Sequence, residues 1–490
     1  MDRIETRALV AGKWRQGSGD LVQSRNPFDG SQITELRFTD ASDVEEAVAG
    51  AKTAQTDAAW REMLPHNRAR LLYRIGDKIE ENAEAIASLQ TLDTGKTLTE
   101  TGALAASAAG TFRYYAAALE TLEDAITPSR GEYLTMSVHE PIGVVGAITP
   151  WNSPIASDAQ KIAPALAAGN AVILKPAEWT PLVSLALGRL CEEAGLPPGL
   201  LSILPGHGRE TGAAIVSHPA IGKVSFTGGT QTGLTIARSA AAKLMPVSLE
   251  LGGKSPTIVC DDADIERAIA GILFGIFSST GQSCIAGSRL FVAQSLYAEF
   301  VDRLVSATRS LKVGNPRDSQ TQVASMADHS HRDKVAAYVE RARDEGGKVL
   351  CGGTIPGGKL RKGAFYMPTI IADLAPDAEA LREEIFGPVL AVLPFQDDED
   401  LIAQANDSVY GLACGIWSRD AARSWRIARR IEAGTVWINT YKQFSISTPF
   451  GGWKLSGMGR EKGREGIRGY QHQKSIYWNM ADAPHPWAGV

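Results

Sequence analysis

Gly281-Gln282-Ser283-Cys284 follows an apolar helical run, Ile265–Phe277, that breaks at Ser278-Ser279-Thr280-Gly281. A thiol delivered just after a helix, on a short glycine-containing loop, is held firmly and stays reachable. Cysteine is a ready nucleophile, because a small fraction is thiolate at neutral pH and local positive potential raises that fraction. A free cysteine is otherwise most often a small buried hydrophobe. Four further stretches carry groups that a nucleophilic thiol would use. Glu250-Leu251-Gly252-Gly253-Lys254 places a carboxylate at a strand end, where it suits a general base acting through water. Taken alone, it is an exposed acid. Pro150-Trp151-Asn152-Ser153-Pro154 fixes an amide between two prolines. Its N–H can stabilise a developing oxyanion; the plain alternative is an Asx turn.

Lys175-Pro176-Ala177-Glu178 directly follows a buried strand. A carboxylate there can hold both hydroxyls of a ribose and would repel a 2′-phosphate. Alone, the pair reads as solvated charges at a helix start. Gly228-Gly229-Thr230-Gln231-Thr232-Gly233 follows a strand and opens a helix. Glycines in that place let backbone N–H groups approach a phosphate. A tight turn needing positive φ is an equal reading.

These groups need elements to position them. At 490 residues the chain exceeds one ordinary core, so two or three domains are expected. Apolar content of 44% and charged content of 21% are those of a soluble globular protein. A net charge of −5 with mixed signs argues against nucleic acid as a partner. No apolar run of about 20 residues is present, so no membrane span is expected. The N-terminus, Met1-Asp2-Arg3-Ile4-Glu5, has no apolar segment and does not read as a signal peptide. Five scattered cysteines fit a reducing cytoplasm, with neither a disulfide framework nor a zinc site. The histidine spacings suggest no metal.

Residues 8–40 read as short strands and turns. Helices are expected from Asp43 as a cap, over Leu71–Leu89 up to Gly95, and over Ala103–Leu122. From Ile142 onward, short apolar strands alternate with helices. The strands are Ile142–Ile148, Ala171–Leu174, Leu200–Leu204, Lys223–Thr227 and Val247–Leu251; the helices are 158–168, 181–194, 209–217 and 230–243. That alternation predicts an α/β fold with a doubly wound parallel sheet, whose ligands lie at the carboxyl ends of its strands. A second α/β domain is expected from strands at Thr257–Cys260, Arg289–Val292, Lys348–Cys351, Leu390–Pro394 and Ala413–Trp417. The tail after 470 and the strand-like Tyr133–Glu140 are expected to pair with another subunit, and Ala481–Val490 to be loose.

The motifs together resemble the NAD(P)-dependent aldehyde dehydrogenase superfamily, from about residue 8 to 478. Pro-Trp-Asn at 150–152, Lys-Pro-Ala-Glu at 175–178, Phe-Thr-Gly-Gly at 226–229 and Glu-Leu-Gly-Gly-Lys at 250–254 stand in the family's order. So do Gly-Gln-x-Cys at 281–284, Glu-Glu-Ile-Phe-Gly-Pro at 383–388 and Pro-Phe-Gly-Gly-x-Lys-x-Ser-Gly-x-Gly-Arg-Glu at 449–461. The resemblance implies a cofactor domain from 1–118 and 142–252, a catalytic domain from 253–469, and a small β oligomerisation extension from 119–141 and 470–490. It implies Cys284 as nucleophile, Glu250 as base, and Asn152 with the Cys284 N–H as oxyanion site. Lys175 and Glu178 would bind the adenosine ribose of NAD, with NADP as an alternative. Gly228 and Gly229 would lie by the pyrophosphate, although many members have Ser at the second position. Glu384 would take the nicotinamide ribose and Phe386 the ring. Thr149, Pro150, Trp151, Gly208, Phe226 and Leu251 would complete the cofactor's surroundings.

The implied reaction oxidises an aldehyde to an acid through a thiohemiacetal and a thioester on Cys284, in a cytoplasmic homodimer or homotetramer. The alternatives are a cofactor-independent thiol esterase and an acylating, coenzyme A-dependent dehydrogenase, against which Glu250 argues. Where relatives for simple aliphatic aldehydes carry aromatic or apolar residues, this chain has Ser153, Ser157 and Gln160. Ser283, Ile285, Lys442, Phe444 and Phe450 would line the substrate mouth. A polar or bulky aldehyde is expected. Lys442 reads two ways, toward a substrate carboxylate or toward water, and nearby Asp158 opposes the first.

Overall fold

The computed structural model describes residues 4–482 and Trp487. The expectations for Met1-Asp2-Arg3 and for most of Ala481–Val490 lie outside the described residues. The first sheet has eight strands. Its parallel centre runs Leu201–Ile203, Ala171–Lys175, Val144–Ile148, Ile221–Thr227, Val247–Glu250, so the chain starts in the middle and winds out both ways. The order reverses between Val144–Ile148 and Ile221–Thr227, and a doubly wound sheet opens its ligand crevice at such a point. Every residue of Val144–Ile148 and Ala171–Lys175 is buried, which is why these strands read as unbroken apolar runs. Antiparallel Ala8–Val10 and Lys13–Arg15 extend one edge, and Gly457–Met458 closes the other against Val247–Glu250.

The second sheet has seven strands, ordered Lys348–Cys351, Thr369–Ala372, Val389–Phe395, Arg289–Ala293, Pro256–Val259, Ala413–Trp417, Thr435–Ile438. All neighbours are parallel except the first pair. Helix Ile265–Phe277 packs on one face through Ala268, Ile269, Ile272 and Ile276. Two strands of this sheet, Thr369–Ala372 and Thr435–Ile438, were not expected from the sequence.

Several boundaries differ from expectation for local reasons. Asp40, not Asp43, caps the first helix: Ser42 and Asp43 N–H groups donate to Asp40, and Asp43 returns a bond to the Asp40 N–H in a capping box. The Leu71–Leu89 stretch is two helices, Pro65–Glu81 and Ala83–Thr94, broken at Asn82. The expected helix at 209–217 begins with a wider turn, Gly208–Gly212. The tail strand Gln471–Asn479 pairs antiparallel with Tyr133–Pro141, and Ala125–Thr127 adds a third strand. Among the described residues no helix is long and apolar enough to cross a membrane.

The C-terminal segment is tied to the first sheet by a buried ion pair. Lys161 Nζ on helix Pro154–Ala167 donates to Glu461 Oε1 at 2.5 Å and to Ser225 Oγ at 2.9 Å. Breaking such a pair leaves a buried charge uncompensated and costs about 3–5 kcal/mol. Lys161→Met should therefore lower the urea unfolding midpoint, and adding Glu461→Gln should recover part of the loss. An unchanged midpoint in the single variant would rule out this tie.

Candidate active site

The carboxyl ends of the first sheet meet the amino ends of the second. Glu250 ends the strand Val247–Glu250, and the chain then passes Leu251–Ser255 to enter Pro256–Val259. Cys284 precedes strand Arg289–Ala293 at the same junction. Its loop is unusual: Ser279, Thr280 and Gly281 all have left-handed backbones, φ 57°, 54° and 71°. That conformation is strained for a β-branched residue. Thr280 Oγ1 holds it by donating to Ala324 O at 3.1 Å, and Gln282 braces it twice, through Nε2 to Ser279 O at 3.2 Å and through Oε1 from the Ala327 N–H at 2.9 Å. A side chain at Gly281 would meet the Gly387 carbonyl, 2.1 Å from an ideal Cβ. The cysteine loop therefore rests directly on the loop that carries Glu384 and Phe386.

Asn152 lies beside the thiol loop, its Nδ2 donating to Gln282 O at 2.9 Å. One amide hydrogen remains for a ligand. Glu250 is buried, and neither carboxyl oxygen has a hydrogen-bond partner. Burial pushes its pKa well above the usual carboxylate range, Glu461 adds to the rise, and Lys161, Arg460 and Lys462 oppose it. The Glu250 loop is clamped by Ser456: Leu251 N–H donates to Ser456 O at 2.9 Å, and Ser456 Oγ donates to Gly252 O at 2.6 Å.

The thiol itself departs from expectation. Cys284 is half-buried. Its surroundings are not net positive in effect: burial first, then the charges of Glu384 and Glu250, push its pKa up to about 12, and Lys442 only opposes this. The resting thiol is thus protonated at neutral pH.

The expected cofactor residues gather along the crevice. Ile148, Gly208, Gly212, Val216, Phe226 and Ile236 are among the walls of a cleft of about 600 Å³. At its edge, Gly208 N–H donates to Glu178 Oε1 at 2.6 Å, with His207 Nδ1 3.5 Å from the other carboxylate oxygen. Lys175 is buried and donates to Pro176 O at 3.0 Å; burial lowers its pKa to about 8 against the pull of Glu178. Thr149 N–H donates to Lys175 O at 3.1 Å, joining this edge to the Pro150-Trp151-Asn152 loop. Gly228 and Gly229 have ordinary negative φ, which overturns the positive-φ turn reading. Gly228 is required because a Cβ would lie 2.5 Å from the Phe226 ring, whereas Gly229 faces open space at the start of helix Thr230–Ala241. Leu251 is buried against Gly233.

Glu384 accepts from the Gly253 N–H at 3.0 Å, and burial raises its pKa to about 7. Phe386 has φ 56° and stands edge-on to Trp151, with ring centres 5.2 Å apart. Two residues that sequence reading missed complete this cluster. Trp179 lies 5.3 Å from Trp151, and His331 donates to the Phe386 carbonyl at 2.8 Å. Their positions in the chain carry no motif; only the fold brings them together.

On the substrate side, helix Pro154–Ala167 is buried except at Ser157 and Gln160, which continue a half-buried stripe begun by Ser153. Asp158 points away from it and accepts from Ser184 Oγ at 2.6 Å, so the objection it raised to an anionic substrate is withdrawn. Ser283 is half-buried and Ile285 buried on either side of Cys284. Phe444 stacks edge-on with Trp437 and Phe450, 5.5 Å from each. Lys442 is half-buried, and its Nζ donates to Ser278 Oγ at 2.8 Å. Lys161, Glu461, Lys96 and Lys462 also reach this region and were not assigned roles from sequence. Glu461 lay inside a quoted motif, which was the available signal.

Because the other four cysteines are buried, alkylation reports on Cys284. Iodoacetamide labelling of the ligand-free protein should rise about tenfold per pH unit from pH 7 to 9, since only thiolate reacts. A plateau below pH 8 would contradict the raised pKa.

Comparison with known proteins agrees with this geometry. The aldehyde dehydrogenase family profile matches residues 14–476. The chain is 43% identical over 470 residues to a betaine aldehyde dehydrogenase of Brucella anthropi, covering 94% of each chain. It is 40% identical over 477 residues to human retinal dehydrogenase 2, covering 96% of this chain and 91% of that one. A solved betaine aldehyde dehydrogenase from Staphylococcus aureus, in complex with NAD+, superposes with a TM-score of 0.97 at 36% identity, covering 99% of this chain and 97% of that one. The match over nearly the whole chain, on a fold that brings the same motifs to one junction, shows that this protein belongs to the aldehyde dehydrogenase family.

Proposed function

We propose that the protein oxidises a polar or bulky aldehyde to its carboxylic acid, with Cys284 as nucleophile, Glu250 as the base toward water, and Asn152 with the Cys284 N–H as the oxyanion site. The observation that carries this reading is the junction itself. A half-buried thiol, an amide with a free hydrogen and an unpartnered carboxyl meet there, beside a cleft edged by Lys175 and Glu178.

NAD, bound in a solved relative, fits the residues present. The 600 Å³ cleft suits an adenosine, Glu178 and Lys175 suit its ribose, and open space at Gly229 leaves the helix start free for a pyrophosphate. Glu384 and Phe386 would hold the nicotinamide end, with Trp151 against Phe386. The bound nicotinamide supplies a hydride acceptor and a fixed positive charge. Glu178 favours NAD over NADP by repelling a 2′-phosphate.

The chain's own residues do the rest. Cys284 must lose its proton to water; its sulfur then bonds to the carbonyl carbon as the C=O π pair moves onto oxygen. Asn152 and the Cys284 N–H receive the oxyanion, each such donor being worth about 3–4 kcal/mol. Loss of hydride leaves a thioester on Cys284. Glu250 must be ionised to take a proton from water, whose oxygen attacks the thioester carbon. The C–S bond breaks and the acid leaves.

We read residues 1–118 and 142–252 as the cofactor domain and 253–469 as the catalytic domain. The exposed Ile476, Tyr477 and Trp478 on the edge strand support a homodimer or homotetramer through this sheet.

Two outcomes check the mechanism. NADH formation with a panel of aldehydes should vanish in Cys284→Ala and fall about 10²–10³-fold in kcat in Asn152→Ala. Since burial raises the Glu250 pKa and a base gains its active form only above its pKa, hydrolysis-limited kcat should climb as pH rises from the ordinary carboxylate range through neutrality. A kcat flat across that range, with hydrolysis limiting, would remove Glu250 from the role.

A further inference from the structure

Three lysines near Cys284 form no ion pair within 4 Å among the described residues; Glu100 acts on Lys96 and Lys442, and Glu461 and Glu250 on Lys462, only from farther away. Lys96 follows Gly95 and is 2% exposed. Among the described residues it forms no ion pair within 4 Å, and Glu100 acts on it from farther away. Lys442 has only the neutral Ser278 hydroxyl, with its Nζ 5.9 Å from the Phe274 ring. Lys462 is 6% exposed, and its Nζ lies 3.7 Å from the centre of Phe444 and 5.2 Å from that of Phe450.

The carboxylates nearby are already engaged. Glu100 accepts from Thr97 through Oε2 and from the Ser279 N–H through Oε1. Glu461 Oε1 is taken by Lys161 and Ser225. Glu250 is driven toward its neutral form by burial. The lysines share one electrostatic neighbourhood: Lys442 feels Lys96, Glu100 and Cys284, and Lys462 feels Glu461, Cys284 and Glu250. Burial, together with the Lys96 charge in the first case, lowers Lys442 to about 7 and Lys462 to about 8.

A buried cation without an anion is costly, and an anionic ligand removes that cost. The walls between the lysines and the thiol are aromatic: Trp437, Phe444 and Phe450. We propose that Lys442, with Lys96 and Lys462, forms an anion subsite, and that the substrate is an aldehyde carrying a carboxylate at the end remote from its carbonyl. This rests on the reading that Cys284 attacks an aldehyde. It separates the protein from the betaine aldehyde dehydrogenases it resembles, because betaine aldehyde carries a quaternary ammonium that these lysines repel.

The test uses three aldehydes on one aromatic frame: 4-carboxybenzaldehyde, methyl 4-formylbenzoate and 4-(trimethylammonio)benzaldehyde, each with the full-length enzyme and NAD. The ester and ammonium groups withdraw electrons more strongly, so their carbonyls are intrinsically more reactive. A preference for the carboxylate runs against reactivity and reports on the subsite. A charge-assisted hydrogen bond corresponds to about 10–100-fold, so kcat/KM for the carboxylate should exceed that for the ester by about that factor. The ammonium compound should be the poorest of the three. The carboxylate-to-ester ratio should shrink as salt is raised. It should fall toward one in Lys442→Met and recover in Lys442→Arg.

Binding without turnover gives a second readout: terephthalate should protect Cys284 from iodoacetamide in the wild type and less in Lys442→Met. A ratio within twofold of one in the wild type, or one unchanged by Lys442→Met, overturns the anion subsite while leaving aldehyde oxidation standing. No NADH from any of the three, or from simple aliphatic aldehydes, would overturn the underlying reading as well.

Discussion

Burial of ionisable groups without partners is the constraint on which this site depends. The junction between the two sheets takes a thiol, two carboxyls and several lysines out of water and pairs few of them. Cys284 and Glu250 are pushed toward their neutral, protonated forms, Glu384 up to about 7, and Lys442 and Lys462 down toward neutrality. The resting site therefore holds its charge back. On the proposed reading, anionic and cationic parts of the ligands complete it, and reactivity is coupled to occupancy. A thiol that stays protonated until ligands arrive is also protected from casual oxidation, which acts on thiolate.

Geometry carries the other half. The left-handed turn at Ser279–Gly281 cannot relax, because Gly281 is pressed on the Gly387 carbonyl and Gln282 is bonded on both sides. Gly253 is similarly close: an added Cβ would lie 2.4 Å from the Cys284 carbonyl. Ser456 then fixes the Glu250 loop from the C-terminal segment, and the Lys161–Glu461 pair anchors that segment to the first sheet. Cys284, Glu250 and the loops around them are thus positioned by contacts between distant parts of the chain.

The fold and the three residues proposed for catalysis were legible in the sequence because they are local. Buried parallel strands read as short apolar runs, and Cys284, Glu250 and Asn152 sit in compact motifs at strand ends or loop starts. What was not legible depends on contacts far apart in the chain. Trp179 and His331 join Phe386 and Trp151 only in the folded protein. Asp158 looked like a neighbour of the substrate mouth but points to Ser184, since one step along a helix changes its face. Local chemistry also misled at Gly228, where packing on Phe226, not positive φ, requires glycine. The thiol's raised pKa depends on Glu384, a hundred residues downstream in round terms, and on burial that no motif records.

The most direct test is the intact mass of Glu250→Gln protein mixed with aldehyde and NAD, quenched after one turnover. Removing the base while keeping nucleophile and oxyanion donors should trap an acyl group on Cys284, with one equivalent of NADH formed and release slowed about 10²–10⁴-fold. Rapid return of unmodified protein with continued NADH formation would contradict the division of work between Cys284 and Glu250.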